Sequence, residues 1–106
     1  MKKLSKKLIR DTWRKFNKCY LYVKAKEKSA SNTANDELFM KCIFFLEYTF
    51  GILNCLKESD SKVITAEYID HTGRDDTYTR SAWYAKLRRA NIAFFKYFDK
   101  RVLVNA

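Results

Sequence analysis

Residues that break regular secondary structure are scarce in this chain. Its 106 residues include no proline and only two glycines, Gly51 and Gly73. An all-β protein of this size needs many tight turns, and those turns draw heavily on glycine and proline. The scarcity argues against an all-β fold and favours an all-α fold, which needs only a few connections.

Side chains that carry out common enzymatic chemistry are also scarce. His71 is the single histidine, and no serine, cysteine or carboxylate stands at a spacing that would make it a catalytic partner. The chain has no glycine-rich phosphate loop and no nucleotide-binding fingerprint. We interpret the adjacent acids Asp75 and Asp76 as a turn and a helix cap rather than a cation site. The sequence therefore predicts a non-enzymatic protein with no catalytic residue, metal site or cofactor.

The three cysteines are odd in number and lack the spacing of a metal site. We expect Cys19 and Cys42 to be small core residues, because they lie on apolar helix faces. Cys55 falls on a polar arc and is expected to be exposed or covered by a short helix. A charged stretch follows Met1 where a secretory signal would be apolar. We therefore predict a reduced, cytoplasmic protein.

One apolar segment, Phe39–Leu56, has the length of a membrane span. It contains Lys41, Glu47 and Asn54. A charge near the middle of a span costs about 2.5–3.5 kcal/mol on insertion scales. We therefore predict a buried core helix and no integral membrane insertion.

A 3.6-residue period of apolar side chains predicts three long helices. They span Leu4–Lys26, Ala34–Glu58 and Thr79–Val102. A shorter helix is predicted after Thr65, its N-cap, with Gly73 as the residue just beyond its end.

Further cap signals bound the longer predicted helices. Thr33 is the expected N-cap of the second helix, and the last helix is capped by Asp76, Thr77 or Thr79. The segment from Lys24 to Thr33 loses its apolar period and is predicted to be a loop.

The predicted fold is a single all-α domain, residues 1–106, built as a small four-helix bundle of three long helices and one short one. The second helix has the widest apolar face and is expected to be central. The short helix, turn and long helix of the C-terminal half have a helix-turn-helix-like outline. Tyr97 and Phe98 belong to the predicted buried face of the last helix, and the predicted core is Phe45, Leu46, Leu53, Trp83, Leu87 and Phe94.

Charge is distributed unevenly along the chain, whose net charge is +10. Residues 1–28 contain eleven basic and two acidic side chains, residues 29–72 three and seven, and residues 73–106 eight and three. Basic ends around a mildly acidic, apolar middle are typical of a packed core that presents positive faces to a polyanion. Codon bias in an AT-rich genome is the competing explanation for the lysine excess.

The basic residues form a stripe on the first helix and another on the last, each opposite the apolar face. Such stripes can neutralise phosphates. We predict a small nucleic-acid-binding or transcription-associated protein that contacts DNA or structured RNA electrostatically. The expected contact residues are Lys7, Arg10, Arg14, Lys18, Arg80, Lys86, Arg89, Lys96 and Lys100.

The alternative is a protein–protein adaptor or a subunit of a larger complex. Seventeen aromatic residues exceed what one small core easily hides, and exposed aromatic side chains mark partner surfaces. The expected partner-binding residues are Tyr22, Tyr48, Tyr84, Ile92 and Phe95. A third possibility is peripheral attachment of the basic first helix to an anionic membrane.

Overall fold

In the computed structural model, residues 4–29 and 36–104 are described, and within these ranges the chain is helical with no strand. The all-α prediction is confirmed. A π-helical turn, Thr65–Ile69, continues the third helix without a break. The helices are α1 (Lys6–Lys28), α2 (Glu37–Cys55), α3 (Glu58–Ile64), α4 (Arg80–Tyr97) and α5 (Arg101–Val104).

The chain divides into two compact units. We call the first the α1–α2–α5 unit; it includes residues 5–29, 36–51 and 99–104 of the described chain. The second, the α3–α4 unit, includes residues 52–98. In it, α3 packs against α4. In the α1–α2–α5 unit, α1 contacts α5.

Helix α1 begins and ends later than predicted. The Ser5 side chain caps its first turn, accepting a hydrogen bond from the N–H of Leu8 at 3.3 Å. The helix then continues to Lys28, so the predicted loop from Lys24 was wrong. Lysine, alanine and glutamate favour helices, and the loss of apolar period over Lys24–Lys28 marks a mostly exposed part of the helix rather than its end.

Helix α2 is capped by an acid. The Asp36 carboxylate accepts a hydrogen bond from the N–H of Phe39 at 2.9 Å, immediately before the helix starts. The predicted cap, Thr33, lies outside the described residues. The helix ends at Cys55 rather than at Glu58, which instead opens α3.

The predicted start of the short helix was wrong. Thr65 has helical backbone angles and lies inside a continuous helical segment that began at Glu58. The segment ends with Asp70, after which His71 adopts a φ of 56°. Gly73, predicted to follow the helix end directly, lies two residues further on with a φ of 67°. Its N–H donates to the carbonyl of Ala66 at 3.1 Å, so a left-handed glycine does close the segment.

Helix α4 is capped by Thr79, one of the three predicted candidates, whose side chain accepts from the N–H of Ala82 at 3.1 Å. The predicted continuation to Val102 was wrong, because Phe98 has an extended backbone. There, the hydroxyl of Tyr48 accepts a hydrogen bond from the N–H of Asp99 at 2.8 Å. The Asp99 carboxylate also accepts from the N–H of Arg101 at 3.0 Å and so starts α5.

The predicted core is confirmed, since all six of its residues are buried. Cys19 and Cys42 are buried, as predicted. Cys55 is exposed, which is one of the two positions that the sequence allowed for it. Phe98 is half-buried. Tyr97 was assigned wrongly to the buried face, because 56% of it is exposed. It is the last residue of α4, where the helix face no longer governs packing.

Among the described helices, α2 is the one long and apolar enough to meet the length and composition criteria for a membrane span. One such helix is weak evidence, since core helices of soluble proteins pass the same test. About a third of the apolar window is buried within the protein. The absence of membrane insertion therefore remains a prediction.

Candidate nucleic-acid interface

Four basic side chains lie along one exposed face of α1, which we call the basic face. Their positions follow the three- and four-residue spacing that brings side chains together on a helix. All four are exposed, while the opposite side of α1 is buried through Trp13, Phe16, Cys19 and Val23. The apolar period thus determines which way the cations point. The basic face consists of Lys7, Arg10, Arg14 and Lys18.

Little acidic charge neutralises the basic face. Arg10 approaches the neighbouring Asp11 at 3.8 Å, and both side chains are well exposed. Such an exposed pair is worth at most about 1 kcal/mol. Among the described residues, Lys7, Arg14 and Lys18 have no ion pair within 4.0 Å. Their charges are therefore available to an external anion.

The predicted basic residues of the last helix occupy different settings. Arg80 is the first residue of α4, and Arg89 and Lys96 lie further along it; all three are exposed. Lys100 is exposed just before α5. Arg80, Arg89 and Lys96 belong to the α3–α4 unit, whereas Lys100 belongs, like the basic face, to the α1–α2–α5 unit.

Lys86 departs from the prediction that it lies on the solvent face. It is half-buried, and its Nζ lies 5.8 Å from the centre of the Tyr78 ring. It also lines a cavity of about 600 Å³ beside Trp83 and Arg74. The connector lies against this part of α4, since the Tyr78 ring is 5.9 Å from the Trp83 ring, centre to centre. Helical spacing alone could not reveal that contact.

The residues expected to bind a protein partner divide into two groups. Tyr84 and Ile92 are more than half exposed on α4, as the alternative requires. Tyr22, Tyr48 and Phe95 are half-buried and engaged within the protein. The Tyr22 hydroxyl donates to Asp36 at 2.8 Å, and this bond to a carboxylate raises the pKa of Tyr22.

Tyr48 and Phe95 make different kinds of contact within the protein. Tyr48 accepts the hydrogen bond from Asp99 that ends the α4 segment. Phe95 lies in a cluster with Phe94 and Phe98, at ring-centre distances of 4.9 and 5.3 Å. Both are therefore structural contacts within their own units.

Sequence reasoning missed an exposed apolar pair on α2. Met40 is 56% exposed and Phe44 60% exposed. They lie one turn apart, and the Phe44 ring stacks on Tyr48 at 6.3 Å. The spacing contained a signal of this exposure, because Met40 and Phe44 lie on the same side of the helix as Glu37 and Gly51. Because the apolar face of this helix is wide, the sequence alone does not show which of its apolar residues are buried.

Asp75 and His71 are the remaining residues that the sequence analysis considered for chemistry. The Asp75 carboxylate accepts a hydrogen bond from the N–H of Thr77 at 2.9 Å, which lowers its pKa and matches the predicted turn. His71 is exposed. Over the described ranges, no group of three or more histidine, cysteine or acidic side chains is placed to hold a metal ion.

Comparison with known proteins adds no likeness: no family model, curated protein or solved structure matches the chain. The geometry of the described residues is therefore the basis for any functional argument.

Proposed function

We propose that the protein binds DNA or structured RNA through electrostatic contacts made by the basic face of α1. The observation that carries the proposal is the exposure of all four cations on one helix face, with a single weak internal ion pair among them. Proteins commonly satisfy such charges with neighbouring carboxylates. Leaving them open suits a phosphate backbone, whose charges are spaced regularly along the strand.

Phosphate contacts of this kind give affinity without sequence readout. Each lysine or arginine that neutralises a phosphate releases a condensed counterion, so affinity falls with salt. Lys100 belongs to the same compact unit and would add to this contact, whereas the exposed Arg80, Arg89 and Lys96 of α4 would contact phosphates separately, from the α3–α4 unit. Half-buried Lys86 would contribute less, because part of its side chain already packs on Tyr78.

The proposal retains the expectation of a cytoplasmic protein that acts without catalysis or a cofactor. The four-helix bundle also remains a proposal about packing. So does the helix-turn-helix-like outline of the C-terminal half, in which residues 70–79 separate the two helical segments. That connection is longer than the three or four residues typical of the compact motif, so we do not assign α4 the role of a groove-reading helix.

The test is the salt dependence of duplex binding for a double variant and a matched control. Lys7→Gln/Arg10→Gln removes two charges from the basic face. Lys28→Gln/Lys57→Gln removes two exposed charges elsewhere. For the first variant, the log–log slope of affinity against salt should become shallower by about 1.8, or roughly 0.9 per lost phosphate contact. The control should keep a slope close to that of the wild type.

Two outcomes would contradict the proposal. Equal slopes for the two double variants would show that overall charge, and not the basic face, drives the contact. A wild-type protein that does not bind at about 50 mM salt would exclude nucleic-acid binding of this kind, because the electrostatic term is strongest at low salt.

The exposed Met40 and Phe44 favour a second candidate, an adaptor that binds a protein partner through α2. Replacing Phe44 by serine should then weaken the partner complex, whereas Lys7→Gln/Arg10→Gln should leave it intact. The complex should also survive nuclease and high salt. Loss of the complex on nuclease treatment would assign the association to nucleic acid instead.

A further inference from the structure

A cavity of about 430 Å³ lies within the α1–α2–α5 unit. Its volume falls within the roughly 300–1,000 Å³ range of small-molecule pockets. Side chains from α1 and α2 form most of its lining, and Leu103 of α5 contributes from a third direction. The cavity is separate from the larger one beside Trp83, which belongs to the α3–α4 unit.

The inner part of this cavity is apolar. Cys19 and Cys42 are both buried, Leu103 is half-buried and Leu38 is 52% exposed, so the apolar lining extends from the interior to the surface. Burial, followed by the neighbouring Cys42 thiol, raises the pKa of Cys19 to about 12. The Cys19 thiol therefore faces the cavity as a neutral, weakly polar group at neutral pH, which suits an aliphatic chain.

The rim of the cavity is strongly basic. Four cations line it, Arg14, Lys15, Lys18 and Lys41, against one acid, Asp11. Among the described residues, none of these four cations forms an ion pair with an acidic side chain. The excess positive charge therefore surrounds an apolar interior.

Lys15 differs from the other three cations because it is half-buried. Its Nζ donates hydrogen bonds to the carbonyls of Val102 and Leu103, at 3.1 and 3.4 Å, and lies 4.8 Å from the centre of the Phe45 ring. Partial burial lowers the pKa of Lys15. The residue is thus held in place at the cavity, while Arg14, Lys18 and Lys41 remain free to close around an anion.

We propose that this cavity binds an amphipathic anion, an anionic head group on a medium-length aliphatic chain. The aliphatic chain lies against Cys19, Cys42 and Leu103, and the head group meets the cations of the rim. This ligand site goes beyond nucleic-acid binding, which uses the outer charges of α1. Arg14 and Lys18 are common to both surfaces, whereas Lys41 belongs to the cavity and Lys7 to the basic face.

The test is titration with decanoate below its micelle-forming concentration, followed by calorimetry and by the methyl NMR signals of Leu38 and Leu103. Decanoate should bind and shift both signals. Decyl phosphate, with the same chain, distinguishes a phosphate head group from a carboxylate; binding of either supports the proposal. Decanol lacks the charge and decyltrimethylammonium reverses it, so both should bind at least about tenfold more weakly.

Charge variants locate the head group. Lys18→Glu/Lys41→Glu should weaken decanoate binding by about tenfold, since each change removes an attraction and adds a repulsion. Lys7→Glu, on the same helix but outside the cavity, should leave decanoate affinity unchanged while weakening duplex binding. The two variants thereby separate failure of this proposal from failure of the nucleic-acid proposal.

Several results would overturn the ligand site. Equal binding of decanol and decanoate would remove the role of the cations. Weaker decanoate binding by Lys7→Glu, in proportion to its smaller change of charge, would indicate attraction by net charge. Shifts confined to Met40 and Phe44 would indicate adsorption on the exposed surface of α2. Because all variants change exposed residues, their melting temperatures provide a direct check that the fold is retained.

Discussion

The indole N–H of Trp83 donates a hydrogen bond to the carboxylate of Glu67, with Nε1 and Oε1 3.0 Å apart. Trp83 lies in the first part of α4 and Glu67 in the π-helical turn that extends α3. The bond satisfies the polar atom of an almost completely buried ring, and an unsatisfied buried donor costs about 1–3 kcal/mol. Packing and hydrogen bonding at Trp83 link these two helical segments, as does the hydrogen bond that the Asn91 amide donates to the Tyr68 hydroxyl at 3.0 Å.

Replacing Trp83 by alanine should destabilise the protein strongly. Large-to-small changes of buried aromatic residues cost about 3–5 kcal/mol, a large share of the 5–15 kcal/mol typical of a whole domain. Tyr84→Ala is the matched control, because its neighbouring ring is 55% exposed. Thermal melts and urea unfolding compare the two. A Trp83→Ala variant as stable as the control would show that α4 is rotated from the orientation described.

Acid should destabilise the protein partly through Asp36. The N–H of Phe39, then the hydroxyl of Tyr22 and the Lys26 ammonium, hold the pKa of this carboxyl below its usual value. The lowered pKa means that the charged form is favoured in the folded state. Its stabilising contribution is therefore present above about pH 3.9, the ordinary value, and is lost as the pH falls through the lower folded-state pKa.

The measurement is the melting temperature of the wild type and of Asp36→Asn between pH 7 and pH 2. The variant should be less stable at pH 7 and should lose less stability on acidification, so the two curves converge. Asp76→Asn, at an exposed position in the connector, is the control and should follow the wild type. Parallel curves for wild type and Asp36→Asn would contradict the assignment.

The cysteines should react with iodoacetamide at very different rates. Cys55 is exposed, whereas Cys19 is buried with a pKa raised to about 12. The thiolate is the nucleophile, and the raised pKa keeps the Cys19 thiol protonated at pH 8. Mass spectrometry of a native time course should show Cys55 modified first, and denaturant should accelerate Cys19. Equal rates in the native protein would contradict the burial of Cys19.

Two neighbouring cations of α4 should separate binding from stability. Arg89→Gln should make the salt slope of duplex binding shallower by about 0.9 with an unchanged melting temperature, because its side chain is exposed. Lys86→Gln should cost about 0.5–1 kcal/mol of stability through the lost contact with the Tyr78 ring, with a smaller effect on the slope. If Lys86→Gln instead made the salt slope shallower and left the melting temperature unchanged, Lys86 would lie on the solvent face.

Local signals were sufficient for the helices themselves. The apolar period predicted α1, α2 and α4 and the buried positions of Trp83 and Phe94, because a helix facing a core must repeat its apolar side chains every 3.6 residues. The Thr79 cap was recognisable for a similar reason, since it bonds only three residues away. The same period also determined that the basic face of α1 is exposed to solvent.

Contacts between residues distant in sequence were not predictable in this way. The local pattern of the last predicted helix continued to Val102, yet the helix ends at Tyr97 and the N–H of Asp99 donates to the distant Tyr48 hydroxyl. Thr65 has the chemistry of an N-cap, yet the helix starting at Glu58 passes through it. The cavity of the α1–α2–α5 unit likewise brings Lys15 to the Leu103 carbonyl. The sequence by itself determined the helices and their faces, because these depend on neighbours three or four residues away. Only the tertiary structure decided where the helices stop and which faces enclose a site, because those depend on partners many residues apart.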